Sequence, residues 1–380
     1  MRNHKFGILS ILMILGALNV QAQEDPLPSW CPVEEALVLQ SASDHPYVEI
    51  FEDGLNVYST SDGETVYEYY AVNNVNEAVP SDDGEYVAMI RADENRNMEI
   101  WTVNRTNSEP RLLVSATDIA ELRPENEEVE PDAYGILNWA WVPGTSNIVF
   151  NTRIYYFGEG LFSSIADDLI IANAVTGEIT TLLPHGNGGN FIVSLDGQYV
   201  AVEGRENLSV FDLASGENMP VTLENYQTIG IGNDYYYAPL VWRADRSTFV
   251  IAVTSDDNPF IRQHDGVVDV YEVDAATQDV ELIATHNAFY MVFDFSSDLD
   301  HVAYWLTNEQ GSNLRTLYVA DLLGEERLAI ETGESLQFVE WLDNSVYFSY
   351  RIQASNSNQI ILIDDFCGSM PNYPDVHTEE

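Results

Sequence analysis

The densest group of residues able to do chemistry lies in DDNPFIRQHDG (256–266). There Asp256, Asp257, Phe260, Arg262, His264 and Asp265 place acids, a guanidinium and an imidazole close together. Such a mixture can move protons or hold a ligand, and it is equally the composition of a solvated loop. Two groups of tyrosines follow: Tyr155 and Tyr156 with Phe157 and Phe162, and Tyr226 with Tyr235, Tyr236 and Tyr237. Clustered tyrosines stack on sugars or peptides, or else cover the core of their own protein. The run DIAELRPENEEVEPD (118–132) is a solvated acidic loop or a contact for a cation or basic peptide. His185 and His286 stand singly near unit junctions, the usual setting of a structural histidine.

Motifs that would turn these groups into an enzyme are missing. There is no Gly-x-Ser-x-Gly nucleophile elbow, His-Glu-x-x-His, Cys-x-x-Cys, phosphate-binding glycine loop or EF-hand pattern. The two cysteines are far in sequence from any pair of histidines, so no zinc site is suggested. With 62 acidic residues, neighbouring acids arise by chance, and no general acid or base can be singled out. No catalytic residue and no cofactor is assigned. A divalent cation such as Ca2+ is the one cofactor an acidic surface of this kind suggests, with no ligands identified.

The ends of the chain point to export. Arg2, His4 and Lys5 precede the apolar stretch from Phe6 to Val20, and small residues around Ala22 suit cleavage, so residues 1–22 are expected to be a secretory signal peptide. No later segment is apolar enough to span a membrane. From Gln23 onward there is no lysine, and thirteen arginines face 62 acids, a net charge of −49. That field disfavours nucleic acid, anionic membranes and acidic partners and favours cations or basic partners. Cys31 and Cys367 are the only cysteines, and in a secreted or periplasmic protein they are expected to form a disulfide.

What positions these groups is a repeat. SDDGEYVAM (81–89) matches SLDGQYVAV (194–202), and SSDLDHVAY (296–304) keeps the skeleton without the glycine. Weaker copies place Val48, Ile148, Val250 and Val346 in register with Val87, Val200 and Val302, at intervals of roughly 40 to 60 residues. Each unit has a second apolar run ending in a tight turn, as in LSVFDLASGE (208–217). Asp-Gly or Ser-Gly between β-branched and aromatic runs is a hairpin signal, and no sustained helical period occurs. The fold class is therefore all-β. The reading is a seven-bladed β-propeller of four-stranded antiparallel blades over 35–366, with six blades as the alternative. Residues 23–34, with Cys31, precede it, and a tail, 367–380, begins with Cys367. Ring closure would bring the two sulfurs together.

The Ser-x-Asp-Gly-x-Tyr-Val-Ala turn, followed by an apolar strand and Thr/Ser-Gly-Glu, resembles the TolB-like and WD40-like propeller repeats. It is similar also to the propellers attached to prolyl-oligopeptidase-type hydrolases. The resemblance covers nearly all of the chain after the leader and implies a docking platform for proteins or peptides. In a four-stranded unit, the second-to-third links and the links between units share one face. The long links (116–135, 153–167, 226–238 and 255–266) all fall there. Trp139, Trp141, Trp242 and Trp341 are expected at innermost strands, as core or channel packing. The expected function is non-catalytic binding of a protein, peptide or glycan through that face. The alternatives are a propeller hydrolase or lyase using acids and histidines at the channel, or a cation-dependent structural protein.

Overall fold

Alternating apolar runs separated by Asp-Gly and Ser-Gly turns dictate short antiparallel strands, and that is what the chain forms. The computed structural model describes residues 47–362 apart from 52–53, 62–63, 71, 73, 123–131, 157–161, 166–167, 205–206, 224–225, 227–228, 232–233, 245–246, 255–265, 289–292, 297, 308–314, 325–326, 334–335, 342–346 and 353–356. The signal peptide, Cys31, Cys367, Phe157, and the whole group Asp256, Asp257, Phe260, Arg262, His264 and Asp265 lie outside the described residues.

The strands follow one another as meanders. The first sheet contains β1 (Tyr47–Phe51), β2 (Gly54–Ser61) and β3 (Glu64–Tyr70), and the second β4 (Val75–Pro80), β5 (Tyr86–Ala92), β6 (Met98–Asn104) and β7 (Asn107–Val114). A short helix, α1 (Ala116–Glu121), leads to the third sheet: β8 (Ala133–Trp141), β9 (Asn147–Tyr156), β10 (Phe162–Ile165), β11 (Leu169–Asn173) and β12 (Ile179–Leu183). The fourth is β13 (Asn190–Val193), β14 (Tyr199–Glu203), β15 (Leu208–Asp212) and β16 (Glu217–Val221). A separate hairpin, β17 (Ile229–Ile231) and β18 (Asp234–Tyr236), precedes the fifth: β19 (Leu240–Trp242), β20 (Thr248–Thr254), β21 (Gly266–Asp274) and β22 (Val280–Ala288). The sixth holds β23 (Asp294–Phe295), β24 (His301–Thr307), β25 (Arg315–Asp321) and β26 (Arg327–Gly333), and the last β27 (Leu336–Trp341), β28 (Tyr347–Ile352) and β29 (Ser357–Leu362).

Burial peaks at the second strands and falls outward from them. Every residue of β14 is buried, whereas β16 is exposed at most positions. A strand covered on both faces must belong to a sheet sandwiched between two others. Apolar clusters fill those gaps in sequence order. Leu55, Val87 and Met89 join the first two sheets. Ile100, Ile148 and Phe150 join the second and third, and Val149, Phe191 and Val200 the third and fourth. Val210, Phe249, Ile251, Phe295 and Val302 run from the fourth to the sixth.

The first strands are the hub of this arrangement: β1 lies against β4, β8 against β13 and β23 against β27. Two tryptophans fasten neighbouring hubs. The indole N–H of Trp141 donates to the Val79 carbonyl of β4 at 3.0 Å, and that of Trp242 to the Ile192 carbonyl of β13 at 3.1 Å. Each satisfies a ring donor that burial would otherwise leave costly. Four-stranded meanders stacked face to face about their first strands make a propeller-like, all-β architecture. Trp139 also lies in β8 and Trp341 ends β27, at the innermost positions expected.

Three long links differ from the loops expected of them. Residues 116–121 form α1, where Ser115 and Asp118 close a reciprocal capping box. Residues around Tyr155 and Tyr235 form hairpins, β9–β10 and β17–β18. Among the described residues, no helix is long and apolar enough to cross a membrane.

Candidate binding site

Strand alternation sends the first-to-second and third-to-fourth turns to one side. These are tight and self-satisfied. In the fourth sheet the Ser194 hydroxyl donates to Asp196 at 2.8 Å and accepts the Tyr199 N–H at 2.9 Å, with Gly197 at φ +69°. The turns at Ser81 and Ser296 repeat these bonds, and Leu299 takes the positive φ itself, at +61°. At the other turns Asn173, Asp212 and Asp274 each accept two main-chain N–H groups through one side-chain oxygen. Those N–H bonds hold the Asp212 carboxyl below its ordinary range. Turns so fully occupied by their own hydrogen bonds offer a ligand little.

The opposite side carries the tyrosines. β9 is ten residues long, twice the length of β14, and divides its partners. Asn147–Phe150 pairs with β11, while Arg153–Tyr156 runs on beyond it and pairs with β10. In that extension Tyr156 stands opposite Phe162 and Tyr155 opposite Ser163. The Tyr155 ring lies over Gly135 of β8, where an added Cβ would come within 2.7 Å of it, and the Arg153 guanidinium sits 5.8 Å from its centre. In the second hairpin Tyr235 pairs with Gly230 and Tyr236 with Ile229. Strand β18 then packs beside β10. Two insertions some eighty positions apart in sequence thus meet in space. Tyr237, at the foot of the second hairpin, is half-buried, and so is Tyr226, which packs against the core of the fourth to sixth sheets.

At that foot is a buried polar junction that sequence reasoning passed over. Glu203, the last residue of β14, is 1% exposed. Its Oε2 accepts from Asn190 Nδ2 at 2.9 Å, and Asn190 Oδ1 accepts from Asn138 Nδ2 of β8 at 2.7 Å. Oε1 makes no hydrogen bond of good geometry, although the Ala238 main-chain N–H faces the carboxyl. Burial pushes the Glu203 pKa up to about 8, overriding the downward pull of Asn190 and Ala238, so the side chain is predominantly protonated at neutral pH. Asn151 completes the junction: its Oδ1 accepts the Asn138 N–H at 2.8 Å and its Nδ2 donates to the Gly189 carbonyl at 2.7 Å.

The chain reaches β13 by threading Gly188 and Gly189 between the third and fourth sheets. A Cβ at Gly189 would stand 1.9 Å from the Glu203 carbonyl, and one at Gly188 2.3 Å from that of Asp168, so only glycine fits. Asp168 is itself buried, accepting the Thr152 N–H at 2.8 Å and its hydroxyl at 2.6 Å. The signal for Glu203 was present in the repeat. Its register positions in other units are Ile90, Asn151, Val253 and Trp305, all buried, so an acid there stands out.

Both isolated histidines are accounted for structurally. His185 is exposed in a turn; His286 is buried, with Nε2 3.0 Å from the Leu322 carbonyl, and burial lowers its pKa. Among the described residues no three His, Cys, Asp or Glu side chains converge to hold a metal ion.

No protein-family model matches the chain, and no curated protein is significantly similar to it in sequence. Solved structures resemble it in shape. The dihydro-heme d1 dehydrogenase NirN, in complex with DHE, is 15% identical, with a TM-score of 0.48 over 85% of this chain and 62% of that one. TolB from Acinetobacter baumannii is 14% identical, with a TM-score of 0.41 over 84% and 76%. An oligogalacturonate lyase in complex with manganese is 11% identical, with a TM-score of 0.47 over 81% and 85%. The chain spans less than two thirds of the first of these.

Proposed function

We propose that the chain is an exported, non-catalytic propeller-like protein that docks a protein or peptide on the side bearing its two tyrosine hairpins. In this reading the seven successive meanders are seven blades, and the disulfide Cys31–Cys367 fastens the ring. The observation that carries the proposal is the packing of β18 beside β10. In this reading the strand contact brings the hairpins carrying Tyr155, Tyr156, Tyr235 and Tyr236, with Tyr237 at the foot of the second, into one docking region on an all-β support. Tyrosines supply large contact area at little cost in side-chain entropy, which suits them to interfaces. The net charge of −49 after the leader favours a partner with a basic surface and hastens its encounter. Export is supported by the leader-like first 22 residues and by the cysteine usage.

The test is quantitative capture of partners by the chain from Gln23 onward, repeated with Tyr235, Tyr236 and Tyr237 changed to alanine. Loss of a protein or peptide partner supports the reading. Retention of every partner, or capture of glycans alone, contradicts it.

A further inference from the structure

Resting on the reading of the tyrosine hairpins as the docking region, we infer that Glu203 is a proton-operated latch on the β17–β18 hairpin. With its proton on, the carboxyl packs dry beneath the hairpin's foot; with its proton lost, it draws water in and frees that foot. The geometry is that of a clamp across three sheets. Glu203 belongs to the fourth sheet, Asn190 links it to Asn138 of the third, and the N–H facing it belongs to Ala238, which leads into β19 of the fifth.

Of the elements packed on Glu203, β13 and β15 are held in ladders, pairing it with Asn190 and Leu208. Among the described residues packed on Glu203, two segments lie outside ladders: 188–189, whose Gly189 carbonyl accepts from Asn151 at 2.7 Å, and 237–239, tied back by the bond from the Ala252 N–H to the Pro239 carbonyl at 3.0 Å. A buried carboxylate with one well-made hydrogen bond is strongly disfavoured, and hydration is the cheapest relief. The glycine segment is wedged against the Asp168 and Glu203 carbonyls, so 237–239 is the one that yields.

Among the described residues, no charged side chain competes for control of this group. Burial raises its pKa, against the opposing pull of Asn190 and Ala238. From β13 and β15 it is faced by Asn190 and Leu208, neither titratable, and from the link to β19 by Ala238, beside which Tyr237 is the one titratable side chain. The other buried carboxylate on this side, Asp168, is engaged by Thr152.

Hydrogen exchange tests the latch without any partner. The chain from Gln23 onward and its Glu203→Gln variant are labelled at pH 6, 7, 8 and 9, and rates over residues 234–241 are corrected for intrinsic pH dependence. The wild type is expected to exchange about tenfold faster at pH 9 than at pH 6, and the variant to change by less than about twofold. Equal profiles in the two proteins, or a rise confined to other segments, overturn the latch. Should Glu203→Gln fail to fold, Asn190→Ala serves. Removing a donor to the carboxylate moves the rise to higher pH, and an unmoved rise refutes the proposal. A latch that fails leaves the docking reading standing, and partner capture that fails leaves the latch standing, so the two are separable.

Discussion

Replacing Glu203 by glutamine removes one proton-binding site while keeping the shape and the polar contacts of the neutral acid. In the folded chain burial raises the pKa of this carboxyl from 4.5 to about 8. The folded state therefore keeps a proton that the unfolded chain releases above pH 4.5. By linkage, the stability from this group is complete in acid and is lost as pH rises toward 8, at about 1.4 kcal/mol per pH unit. Across the whole window that amounts to about 5 kcal/mol, and above pH 8 the dependence levels off because both states are ionised. The other 61 acids contribute their own pH dependence, but it is common to both proteins and cancels in the difference. Urea denaturation followed by tryptophan fluorescence at pH 5, 6, 7, 8 and 9 measures that difference. Glu203→Gln is expected to gain on the wild type steadily from pH 5 to pH 8 and then hold its lead. Curves that stay parallel from pH 5 to pH 9 would show that Glu203 is not a buried acid, and the reasoning fails.

Four further outcomes follow from the same contacts. Gly197→Ala is expected to cost about 1–3 kcal/mol in urea denaturation, because φ is +69° and the new Cβ would meet the Pro143 carbonyl at 2.5 Å. Trp242→Phe keeps the ring against Phe249, 5.0 Å away, but removes the indole donor to the Ile192 carbonyl, for a loss of about 1 kcal/mol by the same assay. Gly135→Ala displaces the Tyr155 ring, and exchange of the β9–β10 amides should rise while that of β14 stays unchanged. Non-reducing peptide mapping of the exported protein should recover Cys31 and Cys367 in one linked pair; two free thiols would remove the disulfide from the proposal.

Much of the fold was legible because its turns repeat in chemistry as well as spacing. Ser81, Ser194 and Ser296 make the same bonds, and Leu299 shows why the third copy could lose its glycine and keep its place: the hydroxyl–carboxylate pair holds the turn. The innermost tryptophans were legible too, although their role as donors to the preceding sheet was not. The β17–β18 hairpin was hidden because its strands are three residues each, Ile-Gly-Ile and Asp-Tyr-Tyr, too short for alternation to register. The helix α1 was announced by Ser115 and Asp118 at capping-box spacing, inside a run dominated by its acidity. Glu203 escaped because it sits at the end of a continuous apolar strand, where burial depends on the neighbouring sheets rather than on local pattern. No pattern in the sequence says that residues near 163 and 235 will touch, since that contact depends on how successive sheets stack.

The meeting of the two tyrosine insertions in one docking region is tested most directly by a double-mutant cycle on partner affinity. One arm changes Tyr155 and Tyr156 to alanine, the second changes Tyr235 and Tyr236, and the third combines all four. Loss of the same partner in both single arms, with a coupling of about 0.5–3 kcal/mol between them, is the result predicted for groups in contact. Loss of different partners, or effects that simply add, would contradict a shared surface.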